Sequence, residues 1–198
     1  MSHTSADSRQ DITAVILAGG ASKRMGSDKA LLTWQDRPFV AHIIERLQAQ
    51  VIRIAINTNA AHEFAQFGLP LIADATTERH GPLAGIMAAL NYSTTALTLV
   101  VPCDNPVPSL QLAARLSAAM VRDGTDLAYA YTDGDNHYLH ALMCTDLRDR
   151  LAAFLAKQDY AVRHWYATQP VSRVDFSDQA EYFRNINSTE ELERLQRS

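Results

Sequence analysis

The chain has 198 residues, 47% of them apolar, which fits one globular domain with a continuous hydrophobic core. A net charge of −4 excludes a general attraction for nucleic acid or an anionic membrane, so any anion has to be held at a local basic site. Two cysteines, Cys103 and Cys144, are too few for a disulfide scaffold and lack the paired spacing of a zinc site. The longest apolar runs have only strand length.

These bounds imply a cytoplasmic protein without a transmembrane helix or signal peptide. Residues 1–11 are polar and read as a flexible tail. Short β-branched runs then alternate with helical periodicity. Strands are expected at Thr13 to Leu17, Val51 to Asn57, Pro70 to Ala73 and Ala96 to Val101. Between them, Phe39 to Gln50 carries apolar residues at Val40, Ile43, Ile44 and Leu47, the spacing of one helix face. Further helices are expected over Ala60 to Phe67 and Leu83 to Asn91, the latter introduced by Pro82. Strand, helix, strand, repeated, predicts a three-layer, doubly wound α/β fold with a mostly parallel sheet.

After Asp104 the rhythm changes. Strands expected at Asp126 to Tyr131 and His137 to Cys144 flank Thr132-Asp133-Gly134-Asp135-Asn136, whose Asp-Gly pair signals an antiparallel hairpin. A last strand is expected at Val171 to Phe176, and Ser188-Thr189-Glu190-Glu191-Leu192 opens a C-terminal helix. With no repeat or linker to divide it, 1–198 reads as one domain: a nucleotide-binding half over 12–104 and an extension over 105–198.

In an open parallel sheet, ligands bind outside the carboxyl ends of the strands, near the point where strand order reverses. The first strand runs into Leu17-Ala18-Gly19-Gly20-Ala21-Ser22-Lys23-Arg24-Met25-Gly26-Ser27-Asp28-Lys29, the second ends in Asn57-Thr58-Asn59, the third in Asp74, and the fourth in Pro102-Cys103-Asp104-Asn105-Pro106. Gly19 and Gly20 present bare main chain that a phosphate can approach, and Arg24 and Lys29 supply charge to neutralise a polyphosphate. Two glycines after a strand also suit a plain tight turn. The loop is neither a P-loop nor the dinucleotide G-x-G-x-x-G, because the required spacings are absent. Asp104, stiffened by Pro102 and Pro106, is placed to hold Mg²⁺, an ion bound by one or two carboxylates plus substrate phosphates; an Asx-type turn suits that segment alone equally well, and the cationic glycine loop on the first strand favours the metal.

Leu17-Ala18-Gly19-Gly20, Arg24-Met25-Gly26 and Asp28-Lys29-Ala30-Leu31-Leu32 closely resemble the signature of molybdenum cofactor guanylyltransferases, within the wider glycine-rich-loop nucleotidyltransferases. Asn57, Asp74, Gly81-Pro82-Leu83-Ala84-Gly85, Pro102-Cys103-Asp104, Val174-Asp175-Phe176-Ser177-Asp178 and Asn185-Ile186-Asn187 follow in the family's order. The resemblance implies a Rossmann-like nucleotidyltransferase fold that transfers GMP from GTP to molybdenum-molybdopterin, releasing pyrophosphate, with Mg²⁺ as cofactor. It implies that Arg24, Lys29 and Asp104 are catalytic, with the main chain around Ala18 to Gly20 on the triphosphate. By the same resemblance Leu17 to Gly19, Asn57 and Asp74 form the guanosine side, with Gly81 close by.

On the pterin side the resemblance implies Asn185 and Asn187, with His137 in a His-Tyr-Leu-His-Ala-Leu stretch where family members commonly read His-Pro-x-x-Ala-Leu. His137 and His140, three apart on a strand, are expected on opposite faces. Arg163 and His164 read as an exposed helical face, and Cys103 as a small buried residue. Partners implied are GTP, molybdenum-molybdopterin and, transiently, molybdoenzyme apoproteins or insertion proteins, around a monomer. A cytidylyl or sugar-nucleotide transferase and a non-catalytic cofactor carrier are the competing readings.

Overall fold

The computed structural model describes residues 10–19, 29–74 and 81–186. The chain enters through β1 (Gln10–Leu17), resumes with a 3₁₀ turn at Lys29–Leu31, and forms a small hairpin, β2 (Thr33–Trp34) and β3 (Arg37–Pro38), before α1 (Phe39–Gln48). β4 (Val51–Asn57), α2 (Ala61–Phe64), β5 (Leu71–Ile72), α3 (Pro82–Tyr92) and β6 (Leu97–Pro102) complete the first half. The second half adds α4 (Leu112–Asp123), β7 (Leu127–Thr132), β8 (Asp135–Cys144), α5 (Arg148–Leu155), α6 (Val162–Tyr166) and β9 (Val171–Asp175), then a 3₁₀ segment at Ser177–Phe183. No helix among the described residues is long and apolar enough to cross a membrane.

The main sheet runs β5-β4-β1-β6-β8-β7-β9. Each neighbouring pair is parallel except those involving β8, which is antiparallel to both β6 and β7. Strand order therefore reverses between β1 and β6, the crevice where this class of sheet accepts ligands. Alternation along β1 feeds two cores. Ile12, Ala14 and Ile16 pack with α1 and α4 through Val40, Ile43, Leu47, Leu112 and Leu116. Val15 faces the other way, onto α3, α5 and α6 through Leu83, Ile86, Leu151, Trp165 and Tyr166. Both faces being covered, strand interiors are largely apolar, although Thr13 in β1 and Thr98 in β6 are buried polar residues.

The expected strands all form, with ends shifted by up to three residues, the largest at β1, which starts at Gln10 rather than Thr13. The Asp133-Gly134 turn has φ of 46° and 100°, the doubly positive geometry of a hairpin that matches strand twist. The β2–β3 hairpin is an addition, since its turn residues Gln35 and Asp36, at φ 47° and 59°, are not ordinary hairpin signals. α4 and α5 are further additions. The expected C-terminal helix at Ser188 lies outside the described residues.

His137 and His140 correct an expectation. Their rings lie 5.9 Å apart, edge to face, and both pack on Phe183, at 4.9 and 5.0 Å. The reason is a bulge: Tyr129 pairs with Ala141 and the next residue, Ala130, with His137, so Tyr138, Leu139 and His140 have no counterparts on β7. Extra residues in one strand reset which face its side chains occupy.

Candidate nucleotide-binding site

β1, β4, β5 and β6 deliver Leu17, Asn57, Ile72 and Pro102 to one edge of the sheet, and the residues following them build the site. Main-chain bonds tie the strand ends together. Ala18 N–H donates to Asn57 O at 2.8 Å, Thr58 N–H to Ile72 O at 2.9 Å, and Cys103 N–H to Leu17 O at 3.3 Å. Ala18's amide is thus spent on β4. Of the amides first associated with a triphosphate, that leaves the ones beyond it, where Gly19 is described and Gly20 is not.

Asn57 lies fully buried at the centre of this edge. Its Nδ2 donates to Asp74 Oδ1 at 2.9 Å and to Ile72 O at 3.2 Å. Its Oδ1 points between Gly19 and Gly85: a Cβ on Gly19 would stand 3.0 Å from it, and one on Gly85 only 2.6 Å. Asp74 is held from a second side by Asn59, whose Nδ2 donates to Oδ2 at 3.0 Å and whose Oδ1 accepts the Asp74 amide at 3.2 Å. A Cβ on Gly19 would also lie 3.5 Å from Asp74 Oδ2, so the glycine turn and the carboxylate face each other.

Gly81 opens α3 at φ 57°, ψ −149°, a conformation only glycine adopts without strain, and its carbonyl accepts the Ala84 amide at 3.2 Å. It sits beside Tyr160, whose carbonyl would be 4.0 Å from a Cβ at this position.

Across the switch point, Asp104 follows β6. It is half-buried, and its carbonyl accepts Ile186 N–H at 2.8 Å, which binds the segment ending at Ile186 to this loop. Asn105, almost wholly buried, donates to Tyr182 O at 2.7 Å and accepts Val107 N–H at 3.2 Å. Asn185 is exposed, one residue before the Ile186 tie. Cys103 is buried in the α1–α4 core.

His137 lies near the start of β8 on the same edge, paired with Ala130, with Nε2 2.7 Å from Thr132 Oγ1. Burial pushes its pKa below the ordinary histidine value, against the attraction of Asp135. Burial pushes fully enclosed His140 down to about 3, reinforced by His137, so both imidazoles are neutral near pH 7. The Val174 to Asp178 motif is a brace. Ser177 donates its amide and hydroxyl to Asp175 Oδ1 at 2.8 and 2.6 Å, which holds that carboxyl below its usual range, and Ser177 Oγ accepts Asp133 N–H at 2.9 Å. Arg163 and His164 lie exposed on α6, with His164 Nδ1 2.9 Å from Asp159 Oδ2.

Lys29 begins the 3₁₀ turn whose next residue, Ala30, is fully buried. Gly20, Lys23, Arg24, Asp28 and Asn187 lie outside the described residues. The fold thus brings Leu17, Ala18, Gly19, Asn57, Asp74, Gly81 and Asp104 to one sheet edge. Asn59, Gly85 and Asn105 are additions. A glycine inside a helix, costing about 1 kcal/mol relative to alanine, is a legible sign of close packing.

Fold and site together define an α/β nucleotide-binding protein of the nucleotidyltransferase class. Solved structures that share the fold include the following two. One is the molybdopterin-guanine dinucleotide biosynthesis protein A of Archaeoglobus fulgidus, with TM-score 0.77, 19% identity, and coverage of 93% of this chain and 97% of that one. The other is the 4-diphosphocytidyl-2C-methyl-D-erythritol synthase of Anaerococcus prevotii, with TM-score 0.72, 11% identity, and coverage of 95% and 97%. The model of the MobA-like NTP transferase domain matches residues 14–174. Curated relatives named molybdenum cofactor guanylyltransferase are 40% identical in Shewanella amazonensis, over 94% of this chain and 96% of theirs, and 39% identical in Polynucleobacter asymbioticus, over 96% and 98%. The chain belongs to the MobA-like NTP transferase family.

Proposed function

We propose that this protein transfers GMP from GTP to molybdenum-molybdopterin, forming the guanine dinucleotide form of the cofactor and releasing pyrophosphate. The observation that carries the reading is the Asp74 carboxylate, held by two asparagine amides and facing the Gly19 turn at the sheet edge. An acceptor-only group there suits the adjacent N1–H and N2–H donors of guanine, whereas cytosine and adenine present an acceptor beside their amino group. The name shared by the curated relatives supports the same substrate pair.

In the reaction a terminal phosphate oxygen of the pterin bonds to the α-phosphorus of GTP. The bond from that phosphorus to the oxygen bridging the β-phosphate breaks, and pyrophosphate leaves with the electron pair. Such a displacement needs alignment and charge neutralisation rather than a covalent nucleophile. Lys29, Arg24 and the main chain from Gly19 onward are assigned to the triphosphate, and Asp74 and Asn57 to the guanosine. Asn185 and His137, which flank the Asp104 side of the edge, are assigned with Asn187 to the pterin.

Asp104 is the residue to hold Mg²⁺. Among the described residues no group of three or more His, Cys, Asp or Glu is placed to hold a metal, and a lone carboxylate fits an ion that completes its shell with phosphates and water. When bound, the ion supplies neutralisation of the leaving pyrophosphate. The proposed setting is a monomer in the cytoplasm that passes its product transiently to molybdoenzyme apoproteins or insertion proteins. Cys103 and Cys144, neither of them in a disulfide, suit a reducing compartment.

The test is pyrophosphate release with Mg²⁺ and molybdopterin, comparing GTP, CTP and ATP. Release with GTP alone is expected. Preference for CTP would overturn the guanylyl assignment, and no release with any nucleotide would point to a carrier.

A further inference from the structure

Asp74 is gripped differently by its two partners. Asn57 is fully buried and anchored to the sheet through Ile72 O as well. Asn59 is exposed, and both ends of its carboxamide engage Asp74: Nδ2 on the carboxylate at 3.0 Å and Oδ1 on the main-chain amide at 3.2 Å. With Thr58 N–H on Ile72 O at 2.9 Å, the Asn59 side chain extends the β4–β5 ladder by one rung beyond the last main-chain pair.

A carboxylate offers about four lone-pair sites, two on each oxygen. Asn57 occupies one on Oδ1 and Asn59 one on Oδ2, so with respect to the described residues one site remains on each oxygen. Two acceptors side by side match a base edge with two adjacent donors, which guanine has. Hypoxanthine keeps N1–H and lacks the second donor. The match requires the carboxylate to keep one plane, and the Asn59 bond is what restrains Oδ2. Without it, only the Asn57 bond on Oδ1 restrains the carboxylate about χ2, a soft torsion in aspartate.

We propose that Asn59 is a positioning residue for base selection: by fixing the amide and Oδ2 of Asp74, it holds both remaining acceptor sites toward the base and sets the preference for guanine over hypoxanthine, given that Asp74 is the guanine acceptor proposed above. Asn59 touches no reacting atom and acts through Asp74. The preference lives in KM rather than kcat, because the base lies remote from the α-phosphorus and its contacts bind ground and transition states alike.

The test compares kcat and KM for GTP and ITP in the full-length enzyme with Mg²⁺ and molybdopterin, using Asn59→Asp, Asn59→Ala and Asp74→Asn. Asn59→Asp retains an oxygen to accept the Asp74 amide but sets a second oxygen against Oδ2, separating the carboxylate contact from closure of the strand ends. Both Asn59 variants are expected to raise KM for GTP by about tenfold, the size of one lost charge-assisted bond. Their kcat should stay within about threefold of the parent, and the GTP-to-ITP ratio of kcat/KM should fall by about tenfold. A drop with GTP and ITP alike, leaving the ratio unchanged, marks a merely structural rung and overturns the proposal. If the ratio survives in both Asn59 variants while Asp74→Asn abolishes it, Asn59 loses its role and Asp74 keeps its own. If it survives in all three, both assignments fail.

Discussion

Gly85, in the first turns of α3, lies directly beneath the Asn57 carboxamide: a Cβ on Gly85 would come within 2.6 Å of Asn57 Oδ1 and 3.1 Å of Leu17 Cδ2. Helix propensity alone favours alanine at this position by about 1 kcal/mol. The observed packing opposes it, because Asn57 is pinned by Asp74 and Ile72 and has nowhere to retreat. Gly85→Ala is therefore expected to raise KM for GTP by about tenfold or more while changing the unfolding midpoint little, the propensity gain offsetting part of the strain. Steady-state kinetics beside thermal unfolding checks this. Unaltered KM in a folded variant would show that Asn57 does not need its present position.

Lys29 and Asp104 are expected to act on the charge that develops during phosphoryl transfer. Lys29→Ala should lower kcat by about 10²-fold or more, the usual loss for a preorganised electrostatic contact. Asp104→Asn, close in shape but uncharged, should shift the Mg²⁺ concentration for half-maximal rate upward by at least about tenfold. Pyrophosphate release measured across a magnesium titration separates the two. Lys29→Ala should leave the midpoint in place while Asp104→Asn moves it.

Asn105 fastens residues 182–186 to the Asp104 loop, with Nδ2 on Tyr182 O and Oδ1 on Val107 N–H. At 2% exposure, its loss leaves two polar groups poorly placed to find water. Asn105→Ala is expected to cost about 2–6 kcal/mol of stability, from one to three for each abandoned group. Because Ile186 N–H also reaches Asp104 O, activity should fall even at temperatures where the variant is folded. Urea unfolding and turnover at low temperature report the two effects separately.

The two histidines make stability pH-dependent. His140, pushed down to about 3 in the folded chain against 6.5 for an ordinary imidazole, stays neutral where the unfolded chain's histidine already carries a proton. Between those values the unfolded state binds the extra proton, so stability rises with pH and is lost as pH falls from about 6.5 toward 3. The slope approaches about 1.4 kcal/mol per pH unit for one group, and His137, also lowered, adds in the same direction. Urea midpoints at pH 7, 6 and 5 should decline in the parent and decline less in His140→Leu. Equal slopes would remove His140 as the cause.

Much of this protein was determined by its sequence alone. Covered on both faces, the strands read as β-branched runs between turn signals. Asp133-Gly134 announced its hairpin, because only a few residues tolerate two successive positive φ values. The strand-end rule alone placed Leu17, Asn57, Asp74 and Asp104 at one edge, since in a doubly wound sheet the order of elements dictates which strand ends are neighbours. What only the tertiary structure decided depends on contacts between segments far apart in the chain. Spending Ala18's amide on Asn57 O, the grip of Asn59 on Asp74 and the pressure of Gly85 on Asn57 join residues from different strands and a helix. His137 and His140 share a face because three bulged residues on β8 reset its alternation, and a bulge is fixed by how neighbouring strands settle against each other rather than by any residue within it.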